Sequence, residues 1–521
     1  MHWDYVWPIV TPELHAVLRK YWGYDQFRPL QGRIVESLIG GNDTCVVMPT
    51  GGGKSLCYQL PAVVSGRTAV VVSPLIALMQ DQAAQLEQMG IPAAALNSQI
   101  PWPEQQDIMR RATQGEYRLL YVSPERLLKE EFVSYLSRVP LAFFAIDEAH
   151  CISEWGHEFR PEYRQLRRLR ELFPNHPIAA FTASATQRVR HDILRQLSLR
   201  SPHRYIASFH RPNLSYLVRA CDGKMQDHLL LAAAEAYAGE TMIIYAPTIA
   251  RVEETVEFLG RHGTAAVPYH GKMQNDDRAR NQERWMSDEV RVLVGTIAFG
   301  LGINKPGVRA VIHLALPKSI EQYYQEAGRA GRDGAPADCV LLWQTRDAGL
   351  LAYFNQKITD PQERQRAWES YHSIRNFAES GECRHRQICV HFGETPKWEK
   401  CNACDVCAAQ PDWMLAPPPH VQSTRPQTQT AQTDSSSRPR RAVSSVPESA
   451  LQQFMREWRR AFAKQRGVPA FMILTDASLA DLCQREPATF EELLEVTGIG
   501  ERKAQSFGKE ILVAMQEFAT R

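Results

Sequence analysis

A glycine-rich turn followed by a lysine and a serine is the first place where this sequence could do chemistry. The run from Pro49 to Ser55, PTGGGKS, follows an apolar stretch and opens a helical pattern. Glycines let backbone N–H groups approach phosphate oxygens, the lysine reaches the β- and γ-phosphates, and a hydroxyl can bind Mg²⁺. Met48 stands at the first glycine position of the strict motif, so the run is a variant of it. The residues expected to bind phosphate are Thr50, Gly51, Gly52, Gly53, Lys54 and Ser55.

Two acidic residues stand at the end of a second apolar run. Phe143 to Ile146 leads directly into the sequence DEAH at 147–150. An acid at the end of a buried strand can hold Mg²⁺, so Asp147 is the expected metal ligand together with Ser55. Glu148 is then placed to orient or deprotonate an attacking water. The order of the two motifs, glycine turn first and acidic strand end second, predicts hydrolysis of a nucleoside triphosphate.

Two further groups could complete such a site. Upstream, Tyr24, Arg28 and Gln31 combine an aromatic face with an amide donor and acceptor, which suits adenine, although aromatic residues of this kind are more often core. Downstream, Gln325 precedes Arg329 and Arg332, which the spacing places one helical turn apart on one side of a helix. Arginines that reach a γ-phosphate across a cleft accelerate its transfer, whereas a solvated basic face is the alternative interpretation.

Cysteines cluster in one part of the chain. Of the 11 cysteines, Cys401, Cys404 and Cys407 follow a C-x₂-C-x₂-C spacing, with Cys383 before them. Four thiolates suit Zn²⁺. Cys389, His385 or His391 could take the place of Cys383 as the first ligand, and a redox pair is a further alternative. The other cysteines stand beside apolar runs and are expected to be buried in a reducing compartment. Those considered are Cys45, Cys57, Cys151 and Cys339.

Short apolar runs that end in turn signals predict parallel strands covered on both faces. They occur in two regions of the chain, separated by helical patterns such as that from Leu75 to Met89. We therefore expect an α/β protein with two open parallel sheets whose loops carry the motifs. The predicted strands are Thr44 to Met48, Thr68 to Val72, Leu119 to Val122, Phe143 to Ile146, Met242 to Tyr245, Val290 to Val294 and Ala310 to Ile312.

The last part of the chain changes character. Residues 411–447 are rich in proline, glutamine and serine, which predicts a disordered linker. Helical periodicity returns from Leu451 to Phe518 and predicts a small all-α domain.

With 521 residues and a net charge of +2, the chain should form several domains, and any nucleic-acid site must be a local basic surface. Neither a membrane-spanning stretch nor a signal peptide is expected.

Together these motifs resemble the ordered motifs of superfamily-2 helicases, and specifically those of the RecQ family. The features that carry the resemblance are the DEAH sequence extended to Pro161 (DEAHCISEWGHEFRP), the run from Gly300 to Lys305, and GRAGRDG at 328–334. The resemblance covers Tyr21 to about Cys407. A weaker one links Val468 to Lys503 to the HRDC domain of the same family.

The resemblance implies two RecA-like lobes with ATP and Mg²⁺ in the cleft between them, and ATP-driven 3′→5′ movement along single-stranded DNA. Residues 1–208 and 209–343 would form the lobes, 344–410 the zinc-binding module, 411–447 the linker and 448–521 the HRDC-like domain. Forked duplex DNA and single-strand-binding or other repair proteins are the expected partners, in the cytoplasm and, in a bacterium, at the nucleoid.

The residues expected to meet DNA follow from the same resemblance. Trp155, Phe159 and Arg160 match the family's aromatic-rich loop, and Ser73 matches a backbone-contacting loop. Stacking of a base on an aromatic ring contributes roughly 1–3 kcal/mol. Opening a base-pair step costs about 1.4 kcal/mol, so the loop can compete for a base.

The chain also departs from the family. Many RecQ proteins continue from the zinc module into a winged-helix domain, but here the predicted linker begins at once. A DNA-binding or annealing ATPase with little unwinding is therefore one alternative, and an RNA helicase is another.

The Gly498 to Gly500 turn of the HRDC-like segment could present N–H groups to phosphate. A protein contact is an equal alternative, because this segment is not basic.

Overall fold

The computed structural model describes residues 12–97, 99–156, 158–296, 305–415, 449–466 and 470–520. Most of the predicted motif at 300–305 and most of the predicted linker lie outside these ranges. Across the described ranges, no helix is both long and apolar enough to cross a membrane.

The described residues of the first lobe form a seven-stranded, fully parallel sheet. Its spatial order is β3-β4-β2-β5-β6-β1-β7. The central strands are buried along their whole length, because helices cover both faces of the sheet. The strands are β1 Thr44–Val47, β2 Thr68–Val72, β3 Ala93–Leu96, β4 Leu119–Val122, β5 Leu141–Ile146, β6 Ile178–Thr182 and β7 His203–Ile206.

The helices of this lobe lie mostly in the connections between strands. Helix α3 begins directly after the glycine-rich turn, and α10 follows β6. The helices are α1 Pro12–Trp22, α2 Gln31–Ile39, α3 Lys54–Ser65, α4 Ile76–Gln88, α5 Trp102–Thr113, α6 Pro124–Leu127, α7 Glu130–Leu136, α8 Pro161–Arg164, α9 Leu169–Leu172 and α10 Gln187–Gln196, with 3₁₀ turns at Ala149–Ile152 and Gln165–Arg168.

The second lobe repeats the architecture with six parallel strands among the described residues, in the order β10-β11-β9-β12-β13-β8. The prediction of two parallel α/β sheets is therefore confirmed. The strands are β8 Leu214–Ala220, β9 Thr241–Tyr245, β10 Ala266–Tyr269, β11 Val292–Gly295, β12 Val308–His313 and β13 Ala337–Trp343, and the helices are α11 Gly223–Ala236, α12 Ile249–Arg261, α13 Asn275–Met286 and α14 Ile320–Ala327.

A helical segment and a C-terminal helical bundle follow. The first packs α15 against α16 and continues into the cysteine cluster. The second has its own apolar core around Met455, Ile473 and Ile511. The helices are α15 Thr345–Lys357, α16 Pro361–Glu379, α17 Arg384–His391, α18 Asp412–Leu415, α19 Ala450–Arg466, α20 Ala470–Ile473, α21 Asp476–Arg485, α22 Phe490–Leu493 and α23 Glu501–Ala519.

Candidate functional site

The glycine-rich turn joins β1 to α3 in a conformation that requires glycine. Gly51 and Gly53 have φ values of 80° and 82°, in the left-handed region that side chains disfavour. A Cβ added at Gly52 would lie 2.9 Å from the carbonyl oxygen of Pro49. The turn therefore presents bare backbone ahead of the positive end of α3, which is an arrangement that binds anions.

Lys54 and the two acids of the DEAH sequence face one another beneath this turn. Lys54 is half-buried, and its Nζ donates to the carbonyl of Met48 at 3.1 Å. Burial lowers its pKa, while Glu148 and Asp147 oppose that shift. Burial and the neighbouring Glu148 raise the pKa of Asp147 to about 7. Carboxylate and hydroxyl oxygens are ligands that a divalent cation accepts, and Ser55 lies in the first turn of α3 next to Lys54.

Glu148 adopts an unusual backbone conformation. Its φ is 46°, in the left-handed region that a non-glycine residue rarely occupies. The N–H of Glu148 donates to Asp147 Oδ1 at 3.0 Å, and the hydroxyl of Tyr163 donates to the Asp147 carbonyl at 3.1 Å. These contacts hold a conformation that costs about 1–3 kcal/mol in isolation. Such strain is typical of functional sites.

The predicted adenine-recognition residues contact the glycine-rich turn directly. Arg28 Nη1 donates to the Gly51 carbonyl at 2.5 Å, and Gln31 Nε2 donates to the carbonyls of Gly52 and Gly53, both at 3.3 Å. The Oε1 of Gln31 accepts the N–H of Arg28 at 2.8 Å. Tyr24 is 41% exposed. The loop that carries these residues is therefore connected mechanically to the phosphate turn, which the sequence did not indicate.

The second lobe brings its arginines to the same turn, but not from a helix. Helix α14 ends at Ala327, so the expectation that Arg329 and Arg332 project from one helical face is wrong: both lie in the tight turns that follow. A Cβ added at Gly51 would lie 3.4 Å from Arg332 Cγ, which places Arg332 against the phosphate turn. Burial, with Arg329 and Arg211, lowers the pKa of Arg332 to about 9.

Arg211 is a residue of this site that the sequence did not single out. It lies between the lobes and donates to the carbonyl of Thr50 at 3.0 Å and to that of Gly331 at 3.0 Å. Its Nε also donates to Asn213 Oδ1 at 3.4 Å. A lone arginine in a connecting segment has no spacing pattern that could reveal it. Two half-buried guanidinium groups, of Arg211 and Arg332, beside one glycine turn favour binding of a multiply charged anion.

A second connection between the lobes passes through the end of β6. Gln325 Nε2 donates to Ser184 Oγ at 2.9 Å, and the Ser184 carbonyl accepts the hydroxyl of Thr182 at 3.1 Å. Thr182 Oγ1 also lies 3.0 Å from His150 Nδ1, and that nitrogen is 3.3 Å from Glu148 Oε2. Gln325 thus contacts this polar chain, which links the second lobe to Glu148. Neither Thr182 nor Ser184 was predicted.

The aromatic-rich loop starts directly after this polar chain. The Arg160 N–H donates to the Cys151 carbonyl at 2.9 Å, which closes the loop on itself. Trp155 is half-buried, and the ring of Phe159 is 36% exposed, with the Arg164 guanidinium 5.6 Å from its centre. Arg160 Nη1 donates to the Pro74 carbonyl at 3.5 Å. The loop therefore lies beside the strand-end loop that carries Ser73.

Ser73 is 1% exposed, and its hydroxyl has no hydrogen-bond partner among the described residues. In this conformation its side chain faces the interior and not a nucleic-acid strand. The structure thus brings Trp155, Phe159 and Arg160 together at one surface and leaves Ser73 beneath it.

The four predicted zinc ligands form one cluster. The Sγ atoms of Cys383, Cys401, Cys404 and Cys407 all lie within 4.8 Å of one another. Zn–S bonds of about 2.3 Å in a tetrahedron require sulfur atoms roughly 3.8 Å apart, so the cluster fits Zn²⁺. The hydrogen bond with Cys401, helped by backbone N–H groups, lowers the pKa of Cys404 to about 5 against the effect of burial.

The alternative ligands have other contacts. His385 Nε2 donates to the Leu214 carbonyl at 2.9 Å, and His391 Nε2 lies 2.7 Å from Glu321 Oε1. Cys389 is buried, and its thiol contacts Glu394. Geometry therefore favours Cys383 as the fourth cysteine, and it gives no support to a single redox pair.

Comparison with protein families covers most of the chain. Residues 28–193 match the DEAD/DEAH box helicase family and residues 224–334 match the helicase conserved C-terminal domain. Residues 345–408 match the RecQ zinc-binding family, and residues 448–514 match the HRDC domain. The fold and the site together define a two-lobed P-loop protein of the DEAD/DEAH box class.

The chain belongs to the RecQ family. It is 31% identical over 584 aligned positions to the ATP-dependent DNA helicase RecQ of Bacillus subtilis, covering 97% of this chain and 98% of that protein. It is 43% identical over 403 residues to the protein of the same name from Haemophilus influenzae and 44% identical over 399 to that of Pasteurella multocida. The two alignments cover 77% and 76% of this chain but only 65% and 62% of the lengths of the Haemophilus influenzae and Pasteurella multocida proteins.

Solved structures show the same fold at low identity. The helicase MrfA bound to DNA superposes with a TM-score of 0.54 at 18% identity, over 65% of this chain and 52% of that one. The DEAD-box helicase Mss116 bound to single-stranded RNA gives 0.53 at 16% identity, over 74% of this chain and 89% of that one. At these identities the likeness concerns the arrangement of the two lobes.

Proposed function

We propose that this protein is an ATP-dependent DNA helicase that moves 3′→5′ along single-stranded DNA and unwinds duplexes, in DNA repair or recombination. The observation that carries the proposal is the approach of Arg332, from the second lobe, to Gly51 in the phosphate turn of the first. A site made by two lobes closes only when both hold the same nucleotide. Binding and hydrolysis can then drive relative motion of the lobes.

In this proposal ATP lies between the phosphate turn and the arginines. Backbone N–H groups from Thr50 to Gly53 and the Lys54 ammonium bind the phosphates, with the adenine base beside Tyr24, Arg28 and Gln31. Ser55 and Asp147 hold Mg²⁺, which would neutralise phosphate charge. Glu148 orients and deprotonates the attacking water. Arg329 and Arg332 stabilise the charge that develops on the γ-phosphate, and Gln325 couples the lobes.

The route from nucleotide to DNA passes through the polar chain. Glu148 lies 3.3 Å from His150, and the backbone continues from His150 into the loop that carries Trp155, Phe159 and Arg160. A base stacked on this loop can therefore shift the group that positions the water. Movement of the loop would also release Ser73 toward the DNA backbone, because Arg160 contacts the neighbouring Pro74.

The cysteine cluster would hold a structural Zn²⁺. With four protein thiolates the ion has no open position for catalysis, so its contribution is to the folding of the segment.

We further propose that the protein acts on DNA in the cytoplasm, including forks coated with single-strand-binding protein.

The experiment that tests the proposal follows unwinding of a fluorescently labelled forked duplex with ATP. Lys54→Ala should abolish unwinding, whereas Lys129→Ala, at an exposed position outside the predicted site, should not. ATPase rates are measured in parallel with single-stranded DNA and with RNA of the same sequence. Unwinding by Lys54→Ala would refute the site, and an ATPase rate insensitive to single-stranded DNA would refute the motor.

An annealing or DNA-stimulated ATPase remains the second candidate. Between the zinc-binding match ending at 408 and the HRDC match beginning at 448 lie 39 residues, too few for a typical domain. The same forked substrate separates the two candidates: fast ATP hydrolysis on single-stranded DNA without strand separation would favour the second.

A further inference from the structure

Trp155 of the aromatic-rich loop is covered by two guanidinium groups from different parts of the chain. The Arg188 guanidinium, from α10 of the first lobe, lies 2.9 Å from the centre of the indole ring. The Arg366 guanidinium, from α16 of the zinc-binding segment, lies over the same ring at 5.0 Å. A cation over the face of an indole is attracted by the π-electrons, most strongly where water is excluded.

Arg366 holds the loop at a second point. Its Nη1 lies 3.5 Å from Glu154 Oε2, while the other oxygen of Glu154 accepts from Arg164 Nη1 at 2.6 Å. Nη1 is buried and has no hydrogen-bond partner among the described residues. Arg366 thus has a ring contact and a long ion pair, but the buried Nη1 that forms the ion pair makes no hydrogen bond, so we expect that the side chain can leave this position at a modest cost in free energy.

Helix α16 is itself fixed at its far end beside the cysteine cluster. Arg384, next to Cys383, donates to both carboxylate oxygens of Asp405 at 3.0 and 2.9 Å. It also donates to the carbonyls of Phe377 and Ser380 at the end of α16. Arg366 lies about 20 Å back along the helix. The cysteine cluster and the loop are therefore joined by one rigid element.

We propose that Arg366 is a positioning residue that restrains the aromatic-rich loop in its DNA-free conformation, so that the zinc-binding segment sets how much DNA is needed to activate hydrolysis. The inference rests on the proposed function, because it concerns the regulation of the same loop. A base can stack on Trp155 only after a guanidinium has left the ring. The restraint competes with DNA for the loop and takes no part in the chemistry.

The test measures the ATPase rate of the full chain against the concentration of an oligothymidylate. Arg366→Ala should lower the half-saturating DNA concentration by about two- to five-fold and raise the DNA-free rate by a similar factor, the range expected for one cation–π contact. The rate at saturating DNA should stay unchanged. Arg366→Lys should keep a half-saturating DNA concentration close to that of the parent. Arg364→Ala, which changes an exposed arginine of the same helix, should have the parent's half-saturating concentration and DNA-free rate.

Two further measurements separate this role from a structural one. In a Trp155→Ala background the effect of Arg366→Ala should be smaller, because the ring contact is already lost and only the ion pair with Glu154 remains. The zinc content and melting temperature of Arg366→Ala should equal those of Arg364→Ala. An unchanged or increased half-saturating concentration would overturn the proposal, as would an undiminished effect in the Trp155→Ala background.

Direct binding of a fluorescent oligothymidylate without nucleotide distinguishes failure of this inference from failure of the proposed function. Tighter binding by Arg366→Ala than by the parent supports the restraint even if DNA fails to stimulate hydrolysis, a result that would refute only the motor. Equal binding, in a parent whose hydrolysis is stimulated by DNA, would refute only the restraint.

Discussion

The N–H of Gly498 donates a hydrogen bond to the carbonyl of Gly23 at 3.1 Å, which joins the C-terminal bundle to the loop that precedes Tyr24. On its other side the bundle meets the second lobe, where Arg459 lies 4.0 Å from Asp288. The bundle therefore contacts both lobes. The Gly498 to Gly500 turn could bind either phosphate or protein. In this structure it makes a protein contact, in which the Gly498 N–H donates to the carbonyl of Gly23.

Gly23→Ala should release the bundle from the first lobe. Gly23 has a φ of 69°, and a Cβ there would lie 2.8 Å from Ile499 N, a contact that backbone on both sides cannot relieve. A loss of ~1–2 kcal/mol would increase the undocked fraction about five- to thirty-fold. The measurement is the rate at which a protease cleaves off residues 449–520 from the native chain.

Gly41→Ala is the matched control for this change. Its φ is 76°, but nothing lies within 4 Å of an added Cβ, so it carries the same backbone strain without the clash. Equal cleavage rates for the two variants would contradict docking through Gly23.

Arg332→Ala should reduce the catalytic rate much more than nucleotide binding. The guanidinium is placed to stabilise charge that is greatest in the transition state, and such an arginine contributes ~10³–10⁵ in rate. Single-turnover ATP hydrolysis and binding of a fluorescent ATP analogue measure the two effects separately. Arg280→Ala, which removes only an exposed ion pair with Asp277, should behave as the parent. A loss confined to nucleotide affinity would argue against this role.

Gly156→Ala should uncouple DNA from hydrolysis. A Cβ at Gly156 would lie 2.5 Å from the His150 carbonyl, so the aromatic-rich loop must shift away from the residue that contacts Glu148. We expect a DNA-free ATPase rate within a few fold of the parent and a large loss of stimulation by single-stranded DNA.

Gly260→Ala provides the comparison for Gly156→Ala. It lies in α12 with nothing within 4 Å of an added Cβ, and helix propensity favours alanine there by about 1 kcal/mol. Normal DNA stimulation in Gly156→Ala would show that the loop does not carry the signal.

Cys383→Ala should lose zinc and Cys389→Ala should keep it. Both cysteines are buried, but only Cys383 lies in the four-sulfur cluster. Structural Zn²⁺ contributes ~10–16 kcal/mol to folding in small domains, so loss of a ligand or chelation should unfold residues 345–408. Metal analysis and thermal unfolding with and without a chelator make the measurement. Zinc retained by Cys383→Ala would return the assignment to Cys389 or a histidine.

The sequence predicted seven of the thirteen strands among the described residues, because buried parallel strands leave continuous apolar runs, and β2 was predicted to the residue. Strand β7, His203–Ile206, was missed because its side chains are half polar and mostly exposed. Strands β6 and β13 were missed although they are buried and largely apolar. The phosphate turn and the DEAH sequence were found because phosphate and metal chemistry fix residue type and spacing within a few neighbouring positions. The helical placement of Arg329 and Arg332 was wrong, because spacing alone cannot show that a helix ends at Ala327.

By itself the sequence determined the motifs, the two sheets and the cysteine cluster, since each depends on residues that are neighbours in the chain or repeat with a short period. Only the tertiary structure decided that Arg332 meets Gly51, that Arg211 spans the lobes, that Arg366 covers Trp155 and that Gly498 binds Gly23. Each of these contacts joins residues that are more than a hundred positions apart in the sequence. They follow from how whole lobes and helices pack, and no local pattern encodes that packing.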